Sequence, residues 1–399
     1  MITRSGVKQP ASGGAVLDIK DQLYIDIKIG GESLPDSPSI VSNLSIHDNA
    51  NAMTPTMQMR FTDLQRILTG SFALTEGTQL SLMLGKTRDS AVTRNYRLFN
   101  IPKQNSSNSS TILANFVLDV PKYITGSVTE AYEGTSAEAL SQLAKTCGLK
   151  SLCSKTTDHQ IWYNFAQTRA SFAEDVAVHG YNNGSSCMFR ALTSQGVLLY
   201  KDVFYELNHT KPKITFGLNS IEQSKSSTRH INVRDFRDIS SSGMMNTYVN
   251  YGWTFVEHSL TGKQKINNAL PVKMRNPFLP INADVKKIVG NSKIEYCKML
   301  DCRNTHANYN KAYYENIRGR ALLSNKITIL IEEVSGVNLL DIVEFRSLNE
   351  DGNKNNASGS YFVTAIVPVV AASGSYYAEK LELCRPTITE AGITPLVGD

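Results

Sequence analysis

The sequence predicts a mainly β chain with an α+β module set into it and an insertion in its second half. Three observations carry this. Apolar and polar residues alternate over most of the first 125 residues, two capped helical patterns stand between Gly134 and Gly180, and alternation returns after residue 206. At 399 residues the chain is longer than one ordinary core serves, so roughly two to four domains are expected.

In the first region Leu23, Ile25, Ile27 and Ile29 alternate with Tyr24, Asp26 and Lys28, which buries one face of a strand, and Gly30-Gly31 ends the run. Met57, Met59 and Phe61 repeat the pattern, as do Leu80, Leu82 and Leu84. Arg94 to Ile101 and Ile112 to Val120 complete the set. Strands at this spacing, separated by turn-rich segments, indicate a sandwich or barrel. Only Thr62 to Leu68 reads as helical, a short connector.

From Gly134 the pattern changes. Thr135 opens a helix and Glu138 can return a bond to its backbone, a capping box. Leu140, Leu143, Ala144 and Cys147 then share one face, and Gly148 stands where a left-handed cap belongs. Gln160 to Phe165 is a short aromatic strand with Trp162 as its core anchor. Thr168 opens a second helix with Phe172, Val176 and His179 on one face, ended by Gly180. Asn182-Asn183-Gly184 is a turn. Met188 to Leu192 and Val197 to Tyr200 then pair as a hairpin across Thr193–Gly196.

Beyond this module Lys213 to Gly217 and Ile231 to Phe236 return to strand character. Residues 237–312 read as an insertion, with a Tyr/Trp-rich strand from Thr247 to Val256 and a loop punctuated by Pro271, Pro277 and Pro280. Trp253 in that strand is assigned to core packing, with a subunit interface as the alternative. A helix is predicted from Tyr309 to Leu323, with Tyr313, Ile317 and Ala321 on one face. Strands follow at Lys326 to Val334, Ile342 to Phe345, Tyr361 to Val367 and Lys380 to Leu383, with a polar loop from Asn349 to Gly359.

Bulk properties exclude several classes. Hydrophobic residues make up 41% and charged residues 19%, the balance of a folded chain. The net charge is +5, from 41 basic and 36 acidic residues without a basic block, so specific DNA binding is not indicated. No apolar run reaches the roughly 18–20 residues of a membrane span. Met1 to Gly14 lacks a signal-peptide core, so the chain is expected to be made in a cytoplasm and to stay soluble there. Six cysteines are sparse for this length, and Cys147, Cys187 and Cys384 lie within apolar patterns as buried thiols.

No constellation points to catalysis, a metal or a cofactor. Gly85-Lys86-Thr87 resembles the end of a phosphate loop, but position 80 is Leu80 where a Gly is needed, and a turn follows in place of a helix. Cys297, Cys302 and His306 approach metal-ligand spacing without a fourth ligand. Cys147 and Cys153 flank Gly148 and are expected to remain thiols in a reducing compartment. His159 follows Asp158, yet no nucleophile elbow is present. His179 sits on an apolar helix face as a core or interface residue. Glu332 and Glu333 are strand neighbours, so their side chains point to opposite faces and cannot share a proton.

The order of elements from Gly134 to Asp202 resembles a module of phage baseplate hub proteins and of the N-terminal hub part of type VI secretion spike proteins. The resemblance rests on the aromatic strand, on Phe172 with the acidic pair Glu174-Asp175, on Gly180, and on a hairpin closing with Leu199-Tyr200-Lys201-Asp202. Gly336, Leu340-Asp341-Ile342-Val343, Ser358-Gly359-Ser360-Tyr361 and Leu381-Glu382-Leu383-Cys384-Arg385 resemble the closing section of the same family. Together these stretches cover about half the chain. The resemblance implies two tail-tube-like antiparallel β-barrel domains, at 1–125 and 206–385, the second interrupted at 237–312. Between them lies the α+β hub module at 126–205, and residues 386–399 form a C-terminal tail.

It further implies a non-enzymatic virion protein of the tail baseplate, assembled in the host cytoplasm. A homotrimer would carry six similar barrels, join a sixfold tail tube to a threefold central spike, contact other baseplate proteins, and pass DNA only transiently through its channel, without membrane insertion. The alternatives are a single-ring tube or distal-tail adaptor, and a carbohydrate-binding or hydrolytic β protein.

Overall fold

A computed structural model of the protein describes residues 24–34, 41–62, 68, 72, 74–85, 87–102, 111–183, 186–218, 228–239, 253–258, 264–268, 294–299, 306–323, 325–348, 357–371 and 376–386. The first region contributes β1 (Tyr24–Ile29), β2 (Glu32–Ser33), β3 (Val41–Asn49), β4 (Thr56–Thr62), β5 (Gln79–Gly85), β6 (Val92–Asn100) and β7 (Thr111–Leu118), then the one-turn helix α1 (Pro121–Ile124). The module adds β8 (Val128–Gly134), α2 (Ser136–Thr146), β9 (Lys150–Cys153), β10 (Gln160–Gln167), α3 (Arg169–His179), β11 (Met188–Leu192), β12 (Val197–Asp202) and α4 (Val203–His209). Next come β13 (Ile214–Leu218), β14 (Arg229–Val233), β15 (Asp235–Asp238), β16 (Trp253–His258), β17 (Gln264–Asn268) and β18 (Ile294–Met299). The chain closes with α5 (Tyr309–Leu322), β19 (Asn325–Ile331), β20 (Ile342–Arg346), β21 (Gly359–Ala371) and β22 (Tyr376–Arg385).

One fourteen-stranded sheet carries both β-rich regions. Its first part runs β3-β4-β7-β6-β5-β1-β2, all antiparallel, and curls as a half-barrel over the side chains that alternation points inward. Met57, Met59, Phe61, Leu80, Leu82 and Leu84 are all buried there. The second part closes on itself. β13 pairs β14 and β20, β20 pairs β21, β21 pairs β22, β22 pairs β19, and β19 pairs β15. β14 and β15 are one strand broken at Arg234, whose N–H still donates to the Leu330 carbonyl at 2.8 Å. The resulting ring is antiparallel except at β13, which runs parallel to both neighbours. Phe216, Ile329, Phe345, Tyr361 and Leu381 fill it.

β21 joins the two parts. Its first residues pair with β20, and Ala365 to Ala371 pair with β3, while β22 follows it along the other edge. It runs from Gly359 to Ala371, longer than the alternation predicts at either end. Pro368 lies within it, and the ladder to β3 is interrupted between Ile366 and Val369, where a residue without an N–H has no bond to donate, while the pairing with β22 runs on unbroken there.

The module forms as its caps dictate. Glu138 N–H donates to Thr135 Oγ1 at 3.3 Å and Thr135 N–H to Glu138 Oε2 at 2.8 Å, which satisfies two otherwise orphaned donors of α2. Gly148 adopts φ +73°, the left-handed turn that ends the helix and that a side chain would oppose. Thr168 Oγ1 accepts from Ser171 N–H at 3.2 Å to start α3. Phe172, Val176 and His179 lie buried on one face of α3. β10 pairs with β8, and β9 adds in parallel to the β11–β12 hairpin. The core beneath these elements is continuous with that of the first sheet, from Phe116 to Phe172 and Val370.

Several elements were not legible beforehand. α1, β8, β9 and α4 are short, and their stability comes from neighbours. Asp202 caps α4 by accepting Tyr205 N–H at 3.2 Å. The helical reading of Thr62 to Leu68 falls mostly outside the described residues, and Thr62 itself ends β4. Of the strand expected from Thr247 to Val256, Trp253 to Val256 belong to β16, which pairs with β17 and β18. Residues 247–252 lie outside the described residues. No helix among the described residues is long and apolar enough to cross a membrane.

Candidate functional site: the junction of sheet, module and ring

The residues that spacing singled out have the following surroundings where they are described. Gly85 ends β5, and a Cβ there would stand 2.5 Å from the Ala91 Cα. Close approach of β5 and β6 therefore requires the glycine, and Thr87 and Ser90 bond to each other in the turn between those strands. Lys86 lies outside the described residues. Cys297 is in β18, Cys302 is outside the described residues, and His306 packs against Trp162 and Tyr309. Cys147 and Cys153 are free thiols, and burial pushes the Cys147 thiol up to about 11. Glu332 pairs with Arg234 and Glu333 with Arg229, so the two carboxylates serve different partners.

The module is tied to its surroundings by buried polar groups. Trp162 is buried and its indole N–H donates to the Gly134 carbonyl at 3.0 Å. His179 stacks on Tyr309 at 4.1 Å and Tyr313 at 4.8 Å, which fixes α5 on α3. Asn316 of α5 accepts from Met188 N–H at 2.7 Å and donates to the Val178 and Gly180 carbonyls. Asp158 takes the N–H groups of Ser136 and Tyr181 at 2.9 and 2.7 Å. Its role is structural, and His159 does not share it. Glu174 bonds the buried Arg190 at 2.7 Å and also reaches Arg320. Burial opposes its charge, yet the Arg320 and Arg190 guanidiniums hold its carboxyl below the usual value. Asp175, its neighbour in the acidic pair, lies 3.3 Å from His179 Nδ1.

The three structural parts meet around a cavity of about 410 Å³. From the first sheet come Asp48 of β3 and Arg94 of β6, from the module the turn Thr193–Gln195, and from the ring Arg229, Glu379, Val334 and the segment Gly336 to Leu339. Asp48 Oδ2 accepts both the N–H and the hydroxyl of Ser194, at 3.1 and 2.8 Å, and this latches the module to β3. Arg94 Nε donates to the same Ser194 Oγ at 3.1 Å. Glu379 accepts the Ser335 N–H at 3.1 Å and hydroxyl at 2.5 Å, and its other oxygen takes the Tyr377 hydroxyl. Burial raises both carboxyls above the ordinary carboxylate range, against the pull of their serine bonds and of Arg94.

No motif spacing marks this junction, though its signal is present in the sequence. Asp48 shares strand parity with the buried Leu44 and Ile46, and Glu379 with the buried Leu381 and Leu383. A carboxylate at an inward position of an apolar alternation must be bonded or neutral.

No family model and no curated protein matches the chain. Solved structures do. A tail protein from Neisseria meningitidis MC58 superposes with a TM-score of 0.57 at 10% identity, covering 91% of this chain and 96% of that one. The 43 kDa tail protein of prophage MuSo2 from Shewanella oneidensis gives 0.56 at 13% identity, covering 92% and 99%. A type VI secretion component from E. coli, c3393, described as similar in structure to bacteriophage T4 tail proteins, covers 93% of this chain and 79% of its own at 9% identity. Its TM-score is 0.47. With end-to-end coverage of both chains in the first two comparisons, the chain has the fold of these tail proteins.

Proposed function

We propose that the chain is a structural baseplate hub protein that assembles as a homotrimer, joins a tail tube to a central spike, and forms part of the channel through which DNA leaves the particle. The observation that carries the reading is the architecture itself, a half-barrel and a closed strand ring sharing β21, with a helical module docked on both. A threefold assembly of such chains presents six β units, which reconciles a sixfold tube with a threefold spike. The near-complete coverage of two tail proteins, one of them from a prophage, supports it.

Surface chemistry supports the reading as well. On the outward face of the first sheet Ser45, Gln58 and Asn115 stand in register, and Gln58 Nε2 and Asn115 Nδ2 donate along the row to Asn115 and Asn100 at 3.1 and 2.9 Å. A neutral amide row of this kind suits a wall past which a polyanion must slide without being held. Tyr163 and Phe165, stacked at 5.6 Å on β10, are exposed, the kind of surface that subunit contacts bury. The role asks for no catalytic group, metal or cofactor.

Mass measurement of the purified chain, alone and mixed with the spike and tube proteins of the same particle, tests the stoichiometry. A trimer that gains spike protein is expected. A chain that stays monomeric in both mixtures removes the hub reading, and electron microscopy of intact particles gives its position independently.

A further inference from the structure

α5 begins against the module through a cluster of rings, and one of these rings is held in a single protonation state. His306, just ahead of α5, packs its imidazole against Trp162 of β10, Tyr181 and Tyr309, with centroids 6.1, 6.2 and 5.7 Å away. Its main-chain N–H donates to Gln160 Oε1 at 2.9 Å, which ties this stretch to β10. The two ring nitrogens meet backbone groups of opposite kind. Nδ1 lies 3.2 Å from the Asn308 nitrogen, whose N–H can only donate, so Nδ1 carries no proton. Nε2 lies 3.3 Å from the His179 carbonyl, which can only accept, so Nε2 carries one. The neutral imidazole satisfies both. A proton added at Nδ1 would face the Asn308 N–H donor to donor, and it would put a positive charge at the positive end of α5.

We propose that protonation of His306 frees the first turn of α5, and the residues leading into it, from the helical module, so that this contact opens as the surroundings acidify. The groups around the ring set the balance. Among the described residues the titratable ones are Asp158 ahead of β10, His179 of α3, Tyr181 after α3 and Tyr309 of α5. Asp158 favours the cation, but its two oxygens accept the Ser136 and Tyr181 N–H groups. Asp175 stands 3.3 Å from Nδ1 of His179 and so serves that imidazole instead. Burial holds His306 below the ordinary histidine value and His179 adds to this, against the pull of Asp158 and of the bond to the His179 carbonyl. Because docking lowers the value, the released form takes up its proton first. The contact is therefore at full strength above about pH 6.5 and weakens as the pH falls below it. The rest of α5 keeps its anchors, since Asn316 bonds Met188, Val178 and Gly180, and Arg320 reaches Glu174. The opening is local, and it does not rest on the hub reading.

Trp162 reports the opening, being buried against His306 and Tyr309. In the full chain carrying Trp253→Phe, Trp162 is the remaining tryptophan. Its quenching by acrylamide should rise as the pH is lowered from about 7.5 to about 5, with circular dichroism unchanged over that range. His306→Gln, which does not titrate, should flatten the rise. Amide hydrogen exchange of the unaltered chain needs no variant. Corrected for the intrinsic effect of pH, opening at the Tyr309 and Ala312 amides, which bond the His306 and Asn308 carbonyls, should grow by up to about tenfold per pH unit below about 6.5. The Met188 amide, held by Asn316, should stay protected. Quenching indifferent to pH, a rise that persists in a folded His306→Gln, a rise that comes only with loss of the circular dichroism signal, or Tyr309 and Ala312 amides that open no more at low pH would each overturn the proposal.

Discussion

Replacing Phe172 by Ala removes the ring at the centre of the helical module. The side chain is 1% exposed and stacks on Tyr132 with centroids 5.7 Å apart and planes 20° from parallel. Transfer of the lost apolar surface is worth about 1.5–3 kcal/mol. Should roughly 80 Å³ of the vacated space stay open, at about 24 cal/mol per Å³ a further ~2 kcal/mol is lost. The expected cost is therefore about 3.5–5 kcal/mol, nearer 3 where α2 and β8 settle inward. Trp162 provides the readout, being buried in the same core and bonded to Gly134. With Trp253→Phe as background, urea unfolding followed by Trp162 fluorescence reports the module. A loss below about 1 kcal/mol at unchanged m would refute the placement of this ring.

Three further outcomes are expected. Glu174→Gln should cost about 1.5–3 kcal/mol by leaving Arg190 buried without its carboxylate, and a double-mutant cycle with Arg320→Ala should show coupling, additive losses being the contrary result. Asp48 and Glu379 have carboxyls raised by burial, so their contribution to stability is unpenalised below the ordinary carboxylate range and worsens as pH rises through the raised values. Thermal melts taken upward in pH from the ordinary carboxylate value of about 4 should show Asp48→Asn plus Glu379→Gln losing that acid-side gain, while Glu174, held low, works in the opposite sense. Gly85→Ala should destabilise by about 1–3 kcal/mol, because the new Cβ meets Ala91 backbone atoms; a neutral effect in chemical denaturation would mean that β5 and β6 lie farther apart.

Legibility followed the range of the interaction. The caps at Thr135 and Thr168, the buried faces of α2 and α3 and the inward rows of β4 and β5 depend on neighbours within a few residues, and the sequence displays them. β8 and β9 depend on pairing with β10 and β12, and their own residues alternate weakly, as Lys150–Cys153 illustrates with three exposed positions and one half-buried one. The break at Arg234 is invisible for the same reason, since it exists only because β14 and β15 face different partners. The junction is an intermediate case. Asp48 and Glu379 each violate a pattern that is plain in one strand, but what they bond to lies 146 and 44 residues away. A motif search looks for chemistry at close spacing and passes over both.

The shared strand has a consequence for the order in which the chain can be completed during synthesis. Ser45 of β3 lies opposite Val369 of β21, 324 residues later (369 − 45). While the ribosome is still making the intervening chain, β3 is left with an unfilled edge, the situation in which nascent strands recruit the wrong neighbour. Its outward positions, Asn43, Ser45, His47 and Asn49, are polar, but an edge recruits through its backbone N–H and C=O groups, which these side chains leave open. The first half-barrel therefore keeps that edge open until β21 has been made. A product cut short before β21 keeps that edge bare.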